Sequence, residues 1–154
     1  PDRIAALGKS GGGGMNGSTV ASENPNLNTV IAVEPAMMRT LPPEYVKHFA
    51  DMKESTAGRI DTGRWLAELT PADRDRMNMI KAAPKLVDKN VLLIGSMGQD
   101  YLQNIHRPLV RAMTDAGAKH FSEVILEAAN EFFLTKRIAM ARLVISWLKQ
   151  ECGF

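Results

Sequence analysis

Three short runs, Thr29-Val30-Ile31-Ala32-Val33, Asn90-Val91-Leu92-Leu93-Ile94 and Glu123-Val124-Ile125-Leu126, are rich in β-branched residues and do not alternate with polar ones. A strand with one wet face alternates, whereas an unbroken run asks for apolar cover on both faces, as in a parallel sheet between helical layers. A fourth run, Ile4-Ala5-Ala6-Leu7, precedes them. Helical patterns fill the intervals, so the expected class is α/β, a parallel sheet of about four strands with helices on both faces.

The intervals carry recognisable signals. A glycine-rich turn, Gly8 to Gly14, leads into a short small-residue helix that ends near Asn24-Pro25. Residues 36–89 hold no strand pattern and read as a helical insertion. Within them Pro43 to Lys53 has helical spacing at Val46, Phe49 and Ala50, and a second helix is expected to start at Thr70, with Pro71 first and Asp73 third. Tyr101 to Ala116 is expected to be a helix with Leu102, Ile105, Leu109 and Met113 on one face, stopped by Gly117. The last helix is expected over Thr135 to Gln150, with Ile138, Ala141, Ile145 and Leu148 as its buried stripe. The 154 residues suit a single domain, 1–154.

Charge and composition narrow the function. Nineteen Lys+Arg against 17 Asp+Glu leave a net charge of +2 with no basic run, so no nucleic-acid partner is expected. No apolar stretch approaches the roughly 18 residues of a membrane span. Cys152 is the one cysteine, which removes an internal disulfide and a cysteine-based zinc site. Pro1-Asp2-Arg3 lacks the basic-apolar-small order of a signal peptide, and a cytoplasmic setting is expected. Met37, Met38, Met77 and Met79 read as packing residues rather than ligands, and no metal or cofactor is expected.

The chemically informative segment is Gly8-Lys9-Ser10-Gly11-Gly12, a G-x-S-x-G set directly after a strand and before a helix. A nucleophile on such a turn sits in strained backbone, and its neighbours two residues away must be small. Its hydroxyl projects near the helix N-terminus, where the Gly11 N–H is placed to steady an oxyanion.

This segment resembles the nucleophile elbow of the α/β-hydrolase family, and the dienelactone-hydrolase and acyl-peptidase-like esterases in particular. The resemblance extends over nearly the whole chain and corresponds to the C-terminal half of the family's fold. Thr29 to Pro35 is similar to the strand after the elbow helix, and 36–89 to the family's helical cap insertion. Val91 to Gly95 resembles the strand before the acidic triad member, and Val124 to Phe133 the strand and loop that deliver histidine. Thr135 to Cys152, with Ile145-Ser-Trp-Leu148, is similar to the final helix. The resemblance implies a serine hydrolase of truncated α/β-hydrolase-like fold, with Ser10 as nucleophile and Gly8, Lys9 and Gly12 completing the elbow.

The remaining triad positions depart from that pattern. Where the family has Asp-His, this chain reads Ala128-Ala129-Asn130-Glu131-Phe132-Phe133, so Glu131 occupies the histidine slot. Asp100 lies five residues after Gly95, with Gly98 at the family's more usual position. Asp100 is a candidate orienting carboxylate or the N-cap of the helix from Tyr101, and Glu131 a functional carboxylate or an exposed loop charge. The general base stays open among His48, His106, His120 and a carboxylate.

Two phosphate-binding patterns compete at the same loop. Gly8-Lys9-Ser10 ends like a Walker A loop, but Arg3 stands where its first glycine belongs. Gly12-x-Gly14-x-x-Gly17 matches the dinucleotide fingerprint, with Glu34 ending the next strand as a ribose ligand. The expectation is therefore a weak esterase of small acyl esters, with a degenerate binding or assembly module as the alternative and dinucleotide binding as a lesser one. The first strand would be a bare edge with uncovered apolar surface, from which a homodimer or larger assembly is expected.

Overall fold

A computed structural model describes residues 4–10, 14–36, 51, 53, 54, 56–59, 61, 64, 68–127 and 133–154. Four strands form one sheet: β1 (Ala5–Lys9), β2 (Thr29–Val33), β3 (Asn90–Ser96) and β4 (His120–Leu126). Their spatial order is β1-β2-β3-β4 and every pair is parallel. The helices are α1 (Asn16–Glu23), α2 (Pro71–Arg76), α3 (Met79–Ala82), α4 (Arg107–Asp115) and α5 (Arg137–Glu151). A helical turn at Gln99–Tyr101 runs through a π-helical segment, Leu102–His106, into α4. Pro108 lacks the N–H that would close an α-turn on residue 104, and the widened turn falls just before it. Among the described residues no helix is long and apolar enough to cross a membrane. The α/β class read from the sequence is the observed one.

The runs of β2 and β3 are buried on both faces, as their composition requires; the run Glu123–Leu126 is not, since β4 lies at the end of the strand order and Ile125 is 41% exposed. On one face Val30, Ala32, Val91 and Leu93 pack with Ala21 of α1, Met79 and Ala82 of α3, and Leu109 and Met113 of α4. On the other, Ile31, Val33, Leu92 and Ile94 pack with Phe133 and with Val144 and Trp147 of α5. Each residue fully buried this way contributes about 1.5–3 kcal/mol before chain entropy is charged against it. The stretch 36–89 ends in chain that belongs to this core: Met79, Ala82, Ala83 and Leu86 are all buried against the sheet. They form the crossover that lets β3 lie parallel to β2.

Local signals set the boundaries. At α2 the Thr70 side chain accepts from the Asp73 N–H at 3.1 Å while Asp73 Oδ2 accepts from the Thr70 N–H at 2.9 Å, with Pro71 opening the helix. After α4, Gly117 takes φ +78° and reverses the chain toward β4.

Three further expectations are corrected. Of the stripe expected on α5, Leu148 packs on the core, but Ile138 is 72% exposed, Ile145 53%, and Ala141 is exposed as well. Val144 and Trp147 are buried instead, with Met140, Leu143 and Leu148 packed beside them. The helix carries apolar residues all round, so periodicity alone permits two stripes. The Trp147 indole N–H, which donates to Ser122 Oγ at 3.1 Å, marks the one that docks. The helix after β3 is capped by Gly98 rather than Asp100, which lies inside its first turn. The first strand is shifted forward, from 4–7 to Ala5–Lys9, and so carries the turn closer to Ser10.

Candidate functional site at the carboxyl ends of the strands

In an open parallel sheet, polar function gathers where the strands end. The last registered pair of β1 and β2 is Lys9 with Val33. Ser10 follows Lys9 with φ +57° and is exposed. Glu34 follows Val33 with φ +43° and is 8% exposed. Left-handed backbone at a residue with a Cβ costs of order 1–3 kcal/mol and persists only where the surroundings impose it. Gly8 is buried within β1. The start of the elbow helix is pressed against the turn after Glu34. A Cβ on Gly14 would stand 2.9 Å from Pro35 Cα and 3.0 Å from its Cβ, so only glycine permits that approach.

Glu34 is held from the other side by β3. Its N–H donates to the Ile94 carbonyl at 2.7 Å, and its Oε1 accepts a short hydrogen bond from the buried Ser96 hydroxyl. Among the described carboxylates Glu34 is the buried one. Beyond it lies Tyr101, whose hydroxyl is buried with no hydrogen-bond partner among the described residues. Burial pushes the Tyr101 phenol up from its ordinary range, and the Glu34 charge pushes it further, so it is a neutral phenol at any physiological pH. The Tyr101 ring is 5.8 Å from that of His106. His106, 1% exposed, bonds Glu123 Oε2 through Nε2 at 3.0 Å, while its Nδ1 has no hydrogen-bond partner among the described residues. Gly95 makes room for it: a Cβ there would lie 2.6 Å from Nδ1.

Of the residues singled out from the sequence, Ser10 stands at the strand-to-helix turn, with Gly8 and Lys9 closing the strand before it. Gly11, Gly12, Glu131 and His48 lie outside the described residues, as does most of the helix expected at 43–53. Asp100 has a described backbone at the carboxyl end of β3. His120 opens β4, at the end of the sheet opposite Ser10. His106 is committed to Glu123, on β4. Neither described histidine is therefore placed beside Ser10.

Ser96 and Tyr101 join no site in the sequence, His106 enters only as a candidate general base and Glu34 only as a ribose ligand. The available signal was a carboxylate directly following an unbroken apolar strand, Thr29-Val-Ile-Ala-Val33, and preceding Pro35. Among the described residues no group of three or more His, Cys, Asp or Glu side chains is gathered as a metal site. A groove of about 450 Å³ between α3 and α4, lined by Ile80, Gln103, Arg107 and Arg111 among others, includes none of the residues around Ser10. No family model and no curated protein matches this chain.

Proposed function

We propose that this chain is a weak serine esterase acting on small acyl esters by covalent catalysis. The observation that carries the reading is the backbone of Ser10, a non-glycine residue in left-handed conformation on an exposed turn between a strand and a helix. That is the conformation a nucleophile elbow needs. Ser10 attacks the acyl carbon and the Gly11 N–H supplies one oxyanion donor. Asp100 and Glu131 are the carboxylates that the family resemblance offers to orient or replace the base. No cofactor takes part. Neither described histidine stands beside the serine, and loss of a general base costs about 10²–10⁴ in rate, so turnover is low.

Intact-mass detection of fluorophosphonate labelling tests the reading. Stoichiometric labelling of the native chain that is lost in Ser10→Ala is the expected result. Absence of labelling after long incubation overturns it.

A second reading, a binding or assembly module with a relict elbow, is favoured by a different observation. Among the described residues β1 is a sheet edge; Leu7 on it is 60% exposed, and Ile4 just before it is exposed too. An edge with free backbone groups and apolar side chains pairs readily with another chain. A homodimer through β1 is therefore part of the proposal in either case.

A further inference from the structure

We propose that the groove between α3 and α4 is a second binding site, for a small molecule that carries one phosphate group on an apolar body. The inference does not depend on the esterase reading, because the groove shares no residue with the crevice around Ser10.

Arrangement is the first argument. Arg107 and Arg111 lie about one turn apart on α4, and both line the groove. Pro108 and Ala112, next to them in sequence, form a parallel row beside the arginines, and Ile80 of α3 lines the groove as well. These three apolar residues are half-buried and both arginines are exposed, so a cationic lip borders an apolar floor. The π-helical turn Leu102–His106 brings Gln103 to the same groove, a neutral side chain that can both donate and accept. Such turns inside α-helices are frequent at functional sites. The volume, about 450 Å³, falls within the roughly 300–1,000 Å³ of small-molecule sites.

Charge is the second argument. On the neighbouring elements the basic side chains Arg76 and Lys81 are neutralised within the fold, by Glu23 and by Asp75. The guanidinium groups of Arg107 and Arg111 have no ion pair or hydrogen bond among the described residues. Asp115, one turn beyond Arg111, is not paired with it either.

The form of the ligand follows from these groups. Two uncommitted guanidiniums on successive turns offer forked N–H donors to a single anion. A carboxylate is satisfied by one fork, whereas the three terminal oxygens of a phosphate monoester have room for both. Asp115 ends the arginine row, so a polyanion running along α4 would meet a like charge. The phosphate is therefore single, and the rest of the ligand crosses Pro108 and Ala112 toward Ile80 instead of following the row.

The test is titration of phenyl phosphate, followed by amide NMR and calorimetry, in the native chain, Arg107→Gln, Arg111→Gln and the control Arg142→Gln, which removes an exposed charge on α5. Inorganic phosphate and octanoate are titrated beside it. All three substitutions are at exposed positions and leave the core intact. The expected result is saturable binding that moves the Gln103 side-chain amide signals, weakens at least about tenfold in each groove variant and stays within about twofold in Arg142→Gln. Inorganic phosphate should bind more weakly because it gains nothing from the apolar floor, and octanoate more weakly because it engages one arginine. No saturation by about 10 mM phenyl phosphate, or a smaller loss in either groove variant, overturns the inference. So does an equal loss in Arg142→Gln, which would make the effect one of overall charge, or binding of inorganic phosphate or octanoate as tight as that of phenyl phosphate.

Discussion

The hydroxyl of Ser96 donates to the carboxylate of Glu34 across 62 positions of sequence, joining the carboxyl ends of β3 and β2 into one buried polar knot. Near that bond lie strained backbone at Ser10 and Glu34, a phenol with no hydrogen-bond partner among the described residues, and a histidine bonded to Glu123. These are groups whose cost in stability is paired with a place in the fold where ligands and chemistry gather. The predictions below separate what in this knot is architecture from what is available for function.

Tyr101→Phe removes a buried hydroxyl that has no hydrogen-bond partner among the described residues, so the variant should be as stable as the native chain or more stable. The pH dependence follows from the raised phenol. The unfolded chain loses this proton near pH 10 while the folded chain keeps it, so native stability should fall as pH rises beyond about 10. Urea unfolding at pH 8 and pH 11 checks this: the loss on going to the higher pH should be smaller in Tyr101→Phe.

Gly95→Ala places a methyl group 2.6 Å from His106 Nδ1 and 3.2 Å from Tyr101 Cε1. The imidazole is buried and pinned by Glu123, so it has no free direction in which to yield. Overpacking of this kind costs about 1–3 kcal/mol. Calorimetry should show a lowered Tm, by roughly 2–4 °C for each kcal/mol in a chain of this length. Adding His106→Ala should make the second substitution cost less than it does alone, because the clash has been removed.

Asp73 is held below the ordinary aspartate range by the Thr70 hydroxyl first and the Thr70 N–H second. A depressed carboxylate stabilises the fold above its unfolded value, and that contribution is lost as pH falls through the folded one. Carbon-detected NMR titration should find the Asp73 carboxyl returning toward about 3.9 in Thr70→Ala. An unchanged titration would show that the capping box does not set it.

Much of this architecture was legible because burial on two faces leaves a direct trace. β2 and the middle of β3 are apolar at successive positions, and Thr70-Pro71-x-Asp73 writes the start of α2 in four residues. The face of α5 was not legible. Ile138, Ala141 and Ile145 make as good a stripe as Met140, Leu143, Val144 and Trp147, and only the position of Ser122 on β4 selects between them. Within the site, Ser10 was visible because an elbow is a local pattern of small residues. The anchoring of Glu34 was hidden because its partner is supplied by Ser96, which only the sheet brings near. His106 was hidden for the same reason, since neither Gly95 nor Glu123 announces the contact in sequence.

The edge at β1 yields the last prediction. Leu7 on the strand and Ile4 just before it are exposed, and among the described residues β1, first in the order β1-β2-β3-β4, has a sheet neighbour on one side only. Two copies joined through this edge about a twofold axis would run antiparallel, continuing the sheet and covering Leu7 on both chains. Light scattering should therefore report a dimer or larger species at high micromolar concentration, and Leu7→Lys should shift it toward monomer by placing like charges across the junction. Because Leu7 precedes the elbow by only three residues, fluorophosphonate labelling of the Leu7→Lys monomer carries a second result. Labelling at the native rate would mean that the site is complete within one chain. Labelling that disappears with the dimer would mean that a group from the second copy completes it. A native chain that remains monomeric at those concentrations would remove the edge from consideration as an interface.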